Sequence, residues 1–597
     1  MAEFSKLVIT SNGQALISKV LAGKQGVEFT KICASSTVYT LAQLEALTAL
    51  SNVKQTSLVS KITRTNEVAV QVETAFTNTD IKTGYYMRTL GLYAVDPDKG
   101  EILYAVTIET SGNCYMPPYN GITVSGAYVK LVTTIGNAEN VSLEVDQAAV
   151  ATIGDIQELE KEISDLRAFV GYTDDDIFGV EVDFKNKTFT RLVGAVNRAA
   201  GSGFDDIECF GGRKRCNLTD AGEVVAYHGE AGFSTTGKLT QAVTVGEGEG
   251  AKTFPVGTIV QTMVEQPKFY YKVVPLKVEK IEGGKGFHMR KARYYVSPTA
   301  KAGFKLHPAF IQNGVVNNVI YIAAFEGSLW DASTSAYLLN DEQVADFAAD
   351  MLCSIGSAKP YSGLTQNATR ANTRAIAAKR GSGWSQWYAA TVAASQMLML
   401  IEYNTFNLQS AIGMGAVSKT DDGATSMTEY TGATIPLGNA SGAVTNANGV
   451  QIVSYRGEEN FWGNIWAWVD GINVYCYGEH EIYIADHAFV DNTANGYEAT
   501  GFTAAKTNGY TSAFGYGGDA FDWLFIPSET LGNTSLPVGD YYWQNATYNG
   551  WLVALLGGIW SYGSGAGAFY WNLTDSSGSR YRYIGGRLVY VPSAKAA

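Results

Sequence analysis

The apolar positions change period several times along the chain, and each change predicts a different element. Ser11-Asn12-Gly13 opens a stretch in which Leu16, Ile17, Val20 and Leu21 recur at helical spacing, and Gly23 can end it. Thr40 to Ala49 repeats the pattern with Leu41, Leu44 and Leu47. Period-two runs follow, such as Val68-Ala69-Val70-Gln71-Val72 and Tyr104-Ala105-Val106-Thr107-Ile108, with a turn signal at Val95 to Gly100 between strands. Residues 1–140 therefore read as one mixed α/β domain.

Asp146 to Val170 is different: few turn residues and many helix formers. Ile156, Leu159, Ile163, Leu166 and Val170 are spaced three and four apart, an a/d seam of about two heptads. In that frame Glu162 falls at g and Arg167 at the next e, a pair that fits a parallel coiled coil. A single amphipathic helix packed on its own chain would show the same seam. Gly171 to Phe184 is acidic and turn-rich and ends the helix. Beyond it the chain is Gly-rich with short strands, for example 269–274 and 292–296. Glu342 to Ile355 and Ser382 to Tyr403 are two further helix candidates, the second with Trp384, Trp387, Val392, Met397, Leu398 and Ile401 as core. The last hundred residues carry no helix signal and close on the strand Arg587 to Val591.

At 597 residues the chain is too long for one core. Charged residues are 17%, and Tyr (35), Trp (11) and Gly (64) are abundant. Tyr and Trp dominate adaptable binding surfaces, and they also pave strands. A net charge of −13 argues against a nucleic-acid-binding surface. The one basic cluster worth noting is Arg213-Lys214-Arg215, which a solvated turn explains as well as a binding surface does. Met1 to Ser11 lacks the pattern of a secretory signal, and the longest apolar stretch, 388–401, is too short to span a bilayer. The expectation is a chain made in a cytoplasm, without membrane insertion, whose six cysteines stay free. Cys209, Cys216 and His228 match no zinc spacing, so neither a metal nor a cofactor is expected.

Catalytic patterns are missing as well. There are five histidines, no HExxH, no phosphate loop and no nucleophile elbow. Gly246 to Gly250 is acidic, wrong for a phosphate cradle. Glu458 and Glu459 are adjacent, and a strand would point them to opposite faces. The most distinctive segment is Tyr455 to Gly471, with Phe461, Trp462, Trp466 and Trp468 within eight residues. It reads as an aromatic core in which Asn460, Asn464 and Asp470 satisfy backbone groups in tight turns. Trp466 and Trp468 are expected inside that core, not against a ligand.

Within it, Gly463-Asn464-Ile465-Trp466-Ala467-Trp468 resembles the GNVWEW motif of formylglycine-generating-enzyme-like proteins, which share a C-type-lectin-like core. The enzymes of that family use a cysteine pair near the C-terminus. Here no cysteine follows Cys476, so the resemblance implies the fold without the catalysis. Gly550 to Pro592 is similar to the variable proteins of diversity-generating retroelements, a group that includes phage receptor-binding proteins. In that group a rigid scaffold displays positions where mutated Asn codons yield Tyr, Ser, Ile, Thr, Asp or Gly. The resemblance marks Tyr548, Ile559, Ser561, Tyr562, Ser564, Thr574, Asp575, Tyr581 and Tyr583 as ligand-binding, set among framework residues such as Trp551, Trp560 and Phe569-Tyr570-Trp571. Phe4 to Gly23 resembles the N-terminal domain of phage tail-collar fibre proteins, the end that attaches to the tail.

The expected fold class is an α+β multidomain fibre. It comprises a tail-attachment domain (1–140), a short parallel coiled-coil spacer (141–172), a β-rich intermediate region (173–300) and a C-type-lectin-like domain (301–597) with a variable region at 540–590. The expected function is that of a virion tail fibre, not an enzyme. It would bind a host cell-surface receptor, protein or glycan, at one end and tail or baseplate proteins at the other. Assembly as a homotrimer would run through Ile156, Leu159, Ile163, Leu166 and Val170. A cellular lectin-like display protein, and a formylglycine-generating-type or carbohydrate-active enzyme, are the alternatives. Arg580-Tyr581-Arg582-Tyr583 alternates with period two, which predicts an extended segment with both tyrosines on one side.

Overall fold

The computed structural model describes residues 4–23, 27–64, 69–119, 125–134, 144–146, 172–341 and 343–592. The chain divides into two compact units, Met1–Glu162 and Ile163–Ala597.

In the first unit the apolar stripe at Leu16, Ile17 and Val20 does form a helix, Ser11–Gly23, and Leu16 is buried. Gly13 lets the helix approach a strand: a Cβ there would sit 2.2 Å from the Tyr104 carbonyl oxygen. A two-stranded sheet, Tyr85–Tyr86 with Tyr115–Met116, and two larger antiparallel sheets supply the other described strands. One runs in the order Val8–Ile9, Gly100–Ile108, Thr89–Asp96, Phe29–Ser35, Val53–Leu58. The other runs Glu144–Asp146, Gly126–Thr134, Ala69–Thr77, Lys61–Arg64. Ile32, Leu90 and Tyr104 from the first and Val72, Val129 and Leu131 from the second share one core. The second expected helix shrinks to one turn, Leu41–Leu44.

The second unit is built on three larger sheets. A seven-stranded sheet contains Phe178–Asp183, Phe287–Ser297 and Tyr270–Lys280. A six-stranded sheet pairs the C-terminal strand Leu588–Tyr590 with Val319–Ala323 on one side and Trp384–Gln386 on the other. An eight-stranded sheet has the order Glu498–Thr503, Glu479–Ile484, Trp466–Tyr477, Gly550–Leu556, Trp571–Asp575, Tyr541–Gln544, Gly509–Tyr510, with Ile584–Gly585 paired to Trp466–Tyr477. The helix Ala389–Tyr403 is buried on all sides from Ala389 to Glu402, and Asn404 ends it in the left-handed conformation. One core runs through all of this, from Phe178 and Val296 through Met397 and Leu400 to Leu556, Trp571 and Val591.

The α+β multidomain fibre is therefore corrected: the described residues are mostly β, with 38% of them in strands and 12% in helices. The seam residues Ile156, Leu159, Ile163, Leu166 and Val170 lie outside the described residues. Among its described residues the N-terminal unit is antiparallel β with one long helix, not mixed α/β. The helix candidate 342–355 fails for a local reason. Asp346 accepts hydrogen bonds from the Ala348 N–H, and Asp350 from the N–H groups of Asp346 and Ala332. These side chains close turns in place of helical bonding. Met351–Cys353 then joins a three-stranded sheet through Ser328–Asp331.

The basic cluster is not a solvated turn either. Arg213 and Arg215 are fully buried at the start of the strand Lys214–Leu218. Arg213 donates to Glu458 at 2.7 Å, and Arg215 donates to the Thr434 and Gly457 carbonyls at 3.0 and 2.8 Å. All six cysteines are buried with free thiols.

Candidate functional site

The eight-stranded sheet has two unlike faces, set by strand alternation. Ala467 and Val469 on one strand, and Leu552, Ala554 and Leu556 on its neighbour, point into the main core. Trp466, Trp468, Val553 and Leu555 point the other way and form a smaller cluster with Ile559, Tyr570 and Ile584. Trp468 is fully buried and donates its indole N–H to the Ala368 carbonyl at 3.0 Å. Trp466 and Trp468 are both buried, 5% and 0% exposed, and their core is this smaller cluster on the outward face rather than the main one.

Half-buried rings cover that cluster: Tyr541, Trp543, Tyr562 and Tyr583. The ring contacts run continuously. Tyr510 meets Tyr541 at 5.0 Å between centroids, Tyr541 meets Trp543 at 4.9 Å, and Trp543 meets Tyr562 at 6.3 Å. Tyr562 stands edge-on to Trp466 at 5.5 Å, and Tyr583 edge-on to Trp466 at 5.1 Å. Tyr581 stacks on Tyr583 at 5.3 Å. Six rings thus form one belt, joined through Trp466 and floored by it and by the buried Tyr570. The Trp543 indole N–H and the hydroxyls of Tyr510, Tyr541, Tyr581 and Tyr583 make no hydrogen bond to a described residue. Aromatic side chains with an apolar body and an unused polar tip suit a binding surface. Burial pushes the Tyr562 hydroxyl up to about 12, so it remains a neutral donor.

The segments that carry the belt are fixed. The chain turns at Arg582 and Tyr583, where its alternation suggests an extended segment. The turn is pinned by the Gly363 N–H donating to the Tyr581 carbonyl at 2.9 Å and the Trp466 N–H donating to the Tyr583 carbonyl at 3.0 Å. Gly363 has no room for a side chain, since a Cβ would lie 2.6 Å from the Tyr581 nitrogen. Arg582 points back, donating to both oxygens of Asp421 at 2.7 and 2.8 Å and lying over the Trp560 ring at 5.4 Å. The hydrogen bonds from Arg582 hold the Asp421 carboxyl below its ordinary range. The loop after Val417 is tied alongside: the Lys419 N–H donates to the Trp560 carbonyl and the Gly563 N–H to the Val417 carbonyl, both at 2.8 Å. Asp421→Ala should release Arg582 and loosen the turn. The pair is partly exposed, so folding stability should fall by less than about 1 kcal/mol, which thermal melting measures.

The nine residues marked in the sequence separate. Tyr562, Tyr581 and Tyr583 are in the belt, and Ser561 and Ser564 lie beside it on the loop that carries Tyr562. Asp575 is on the same sheet face, largely buried, accepting from Asn572 at 3.1 Å, and burial raises its carboxyl above the ordinary range. Ile559 is buried beneath the rings, 3% exposed. Thr574 lines a polar groove of about 490 Å³ between 506–508 and 544–547. Tyr548 packs on the main core and over Gly550, away from the belt. Sequence reasoning missed Tyr510, Tyr541, Trp543 and Asp421, whereas the alternation at 580–583 already set Arg582 against a local carboxylate, the partner now identified as Asp421. Tyr541-Tyr542-Trp543 alone carried a signal, a period-two aromatic run whose middle ring is buried.

Two solved structures are similar to this chain at 12% sequence identity. They are a "Major Tropism Determinant I1 Variant", covering 69% of this chain and 94% of its own with a TM-score of 0.24, and a "Major Tropism Determinant U1 Variant", covering 71% and 96% with a TM-score of 0.23. No protein-family model and no curated protein matches the sequence.

Proposed function

We propose that this chain is a receptor-binding protein of a phage particle, which holds a host-surface receptor against the aromatic belt Tyr510–Tyr541–Trp543–Tyr562–Tyr583–Tyr581. The observation that carries the reading is the belt itself: joined rings with unused polar tips on a backbone pinned by Gly363, Trp466 and Arg582. A pre-fixed aromatic surface loses little side-chain entropy on binding. The resemblance of 550–592 to retroelement-diversified proteins supports the virion role, with Tyr562, Tyr581 and Tyr583 as diversified positions on a constant scaffold. The resemblance of residues 4–23 to collar-fibre proteins supports attachment to the tail through the first unit.

Tyr581→Ala with Tyr583→Ala tests this. Tyr581 is 45% exposed and Tyr583 half-buried, so melting should change little. Each central ring lost should cost roughly 1–2 kcal/mol of binding, so the double variant should lose on the order of a hundredfold in affinity for host cells. Unchanged adsorption, or a melting loss like that of a core variant, contradicts the reading.

A further inference from the structure

We propose that Tyr475, Tyr477, Tyr483 and Trp551 form a second, separate binding platform that stacks the C–H face of a pyranose ring. These residues come from three adjacent strands of the eight-stranded sheet, at the end away from Trp466. Tyr475 lies in register with Trp551 on one side and with Glu481 on the other, and Tyr477 lies opposite Glu479. Ring centroids are 4.5 Å apart for Tyr475 and Tyr477, 4.8 Å for Tyr475 and Trp551, and 5.8 Å for Tyr483 and Trp551. A cross-strand pair such as Tyr475–Trp551 needs no ligand to justify it. Tyr477 is different. The pairing of Trp466–Tyr477 with Gly550–Leu556 stops at Cys476 and Gly550, so no ring covers Tyr477 from that side. It is 51% exposed and only extends the surface begun by Tyr475.

The polar groups around the rings select the ligand. The Tyr475 and Tyr477 hydroxyls and the Trp551 indole N–H make no hydrogen bond to a described residue, and neither does the Glu479 carboxylate. Glu481 is held in place, accepting from the Tyr483 hydroxyl at 2.8 Å and paired with Lys285. An exposed aromatic centre, its rings tilted 38° to 61° to one another and rimmed by hydroxyls, an N–H and a carboxylate, complements a β-linked pyranose, which offers a C–H face to one ring and a belt of equatorial hydroxyls to the rim. An aliphatic partner would leave that rim unmatched. The platform uses none of the belt residues and stands independently of the receptor-binding proposal.

Saturation-transfer NMR on the full chain, with methyl β-D-glucopyranoside, methyl β-D-galactopyranoside and N-acetyl-D-glucosamine as separate probes, tests the proposal. Transfer to the ring C–H protons of at least one sugar is expected. Trp551→Ala should abolish it, and Tyr477→Ala, which removes an exposed ring and leaves the fold intact, should weaken the apparent affinity roughly three- to tenfold. Tyr581→Ala with Tyr583→Ala should leave the signal unchanged, which separates this platform from the belt. Transfer to none of the sugars, or transfer that survives both Trp551→Ala and Tyr477→Ala, overturns the proposal. So does self-association of the wild-type chain that disappears in Tyr477→Ala, which would assign the face to a second copy.

Discussion

Glu458→Ala is expected to destabilise the second unit by about 3–5 kcal/mol. Glu458 and Arg213 are both fully buried and 2.7 Å apart. Arg213 also donates to Gln266 at 2.7 Å and to Ser395 at 3.1 Å, and the Ser395 hydroxyl donates to Glu458 at 2.9 Å. Through Arg213, that one carboxylate thus ties together the strand Gln261–Pro267, the buried helix Ala389–Tyr403, the hairpin at 458–459 and the approach to Lys214–Leu218. Removing it leaves a guanidinium in the interior with its charge uncompensated, over the Tyr455 ring at 4.9 Å. Removing both charges avoids that cost, so Arg213→Met with Glu458→Leu should recover most of the loss. Thermal and denaturant unfolding of the single and the double variant check this. A single variant as stable as wild type would mean that the pair contributes nothing.

Glu326→Gln is expected to stabilise the protein in alkaline solution and to leave it nearly unchanged near pH 4. Glu326 is 2% exposed, and burial pushes its carboxyl up to about 8. Asn464 and Asn460 donate to one of its oxygens at 2.7 and 3.1 Å, which offsets only part of the desolvation. An acid with a raised folded-state pKa binds its proton more tightly folded than unfolded. Its contribution is therefore complete below the ordinary value of 4.5 and is lost as pH rises towards about 8. At about 1.4 kcal/mol per pH unit, the loss across that window is on the order of 5 kcal/mol. Glutamine keeps the shape and has no proton to lose. The difference in stability between variant and wild type should grow from pH 5 to pH 8 and then level off. A difference that stays flat across that range would contradict the assignment.

Much of the local structure was legible. The stripe at Leu16, Ile17 and Val20 gave a helix, and the apolar run ending at Ile401 gave the buried helix Ala389–Tyr403. The strands Tyr270–Lys280 and Phe287–Ser297 were legible from their aromatic and β-branched runs. The segment 342–355 misled because its apolar spacing is helical while Asp346 and Asp350 spend their side chains on turns. Arg213 and Arg215 misled because three basic residues in a row look solvated. Only the fold brings Glu458 and Thr434 to them, from more than two hundred residues away. The belt was half legible. Tyr581 and Tyr583 stood out by composition, whereas Tyr510 and Tyr541 meet them only through the register of the sheet. Ile559 shows the limit of reading by residue type, since at 3% exposure it supports the rings from below.

The central claim is that the aromatic belt touches the host. It is tested most directly by placing a photo-crosslinking amino acid at position 581 in one preparation and at position 256 in another. Val256 is 65% exposed and outside the belt. Irradiated on intact host cells, the protein labelled at 581 should capture a surface component, and the protein labelled at 256 should not. Capture from 256 alone, or equal capture from both positions, would contradict the account.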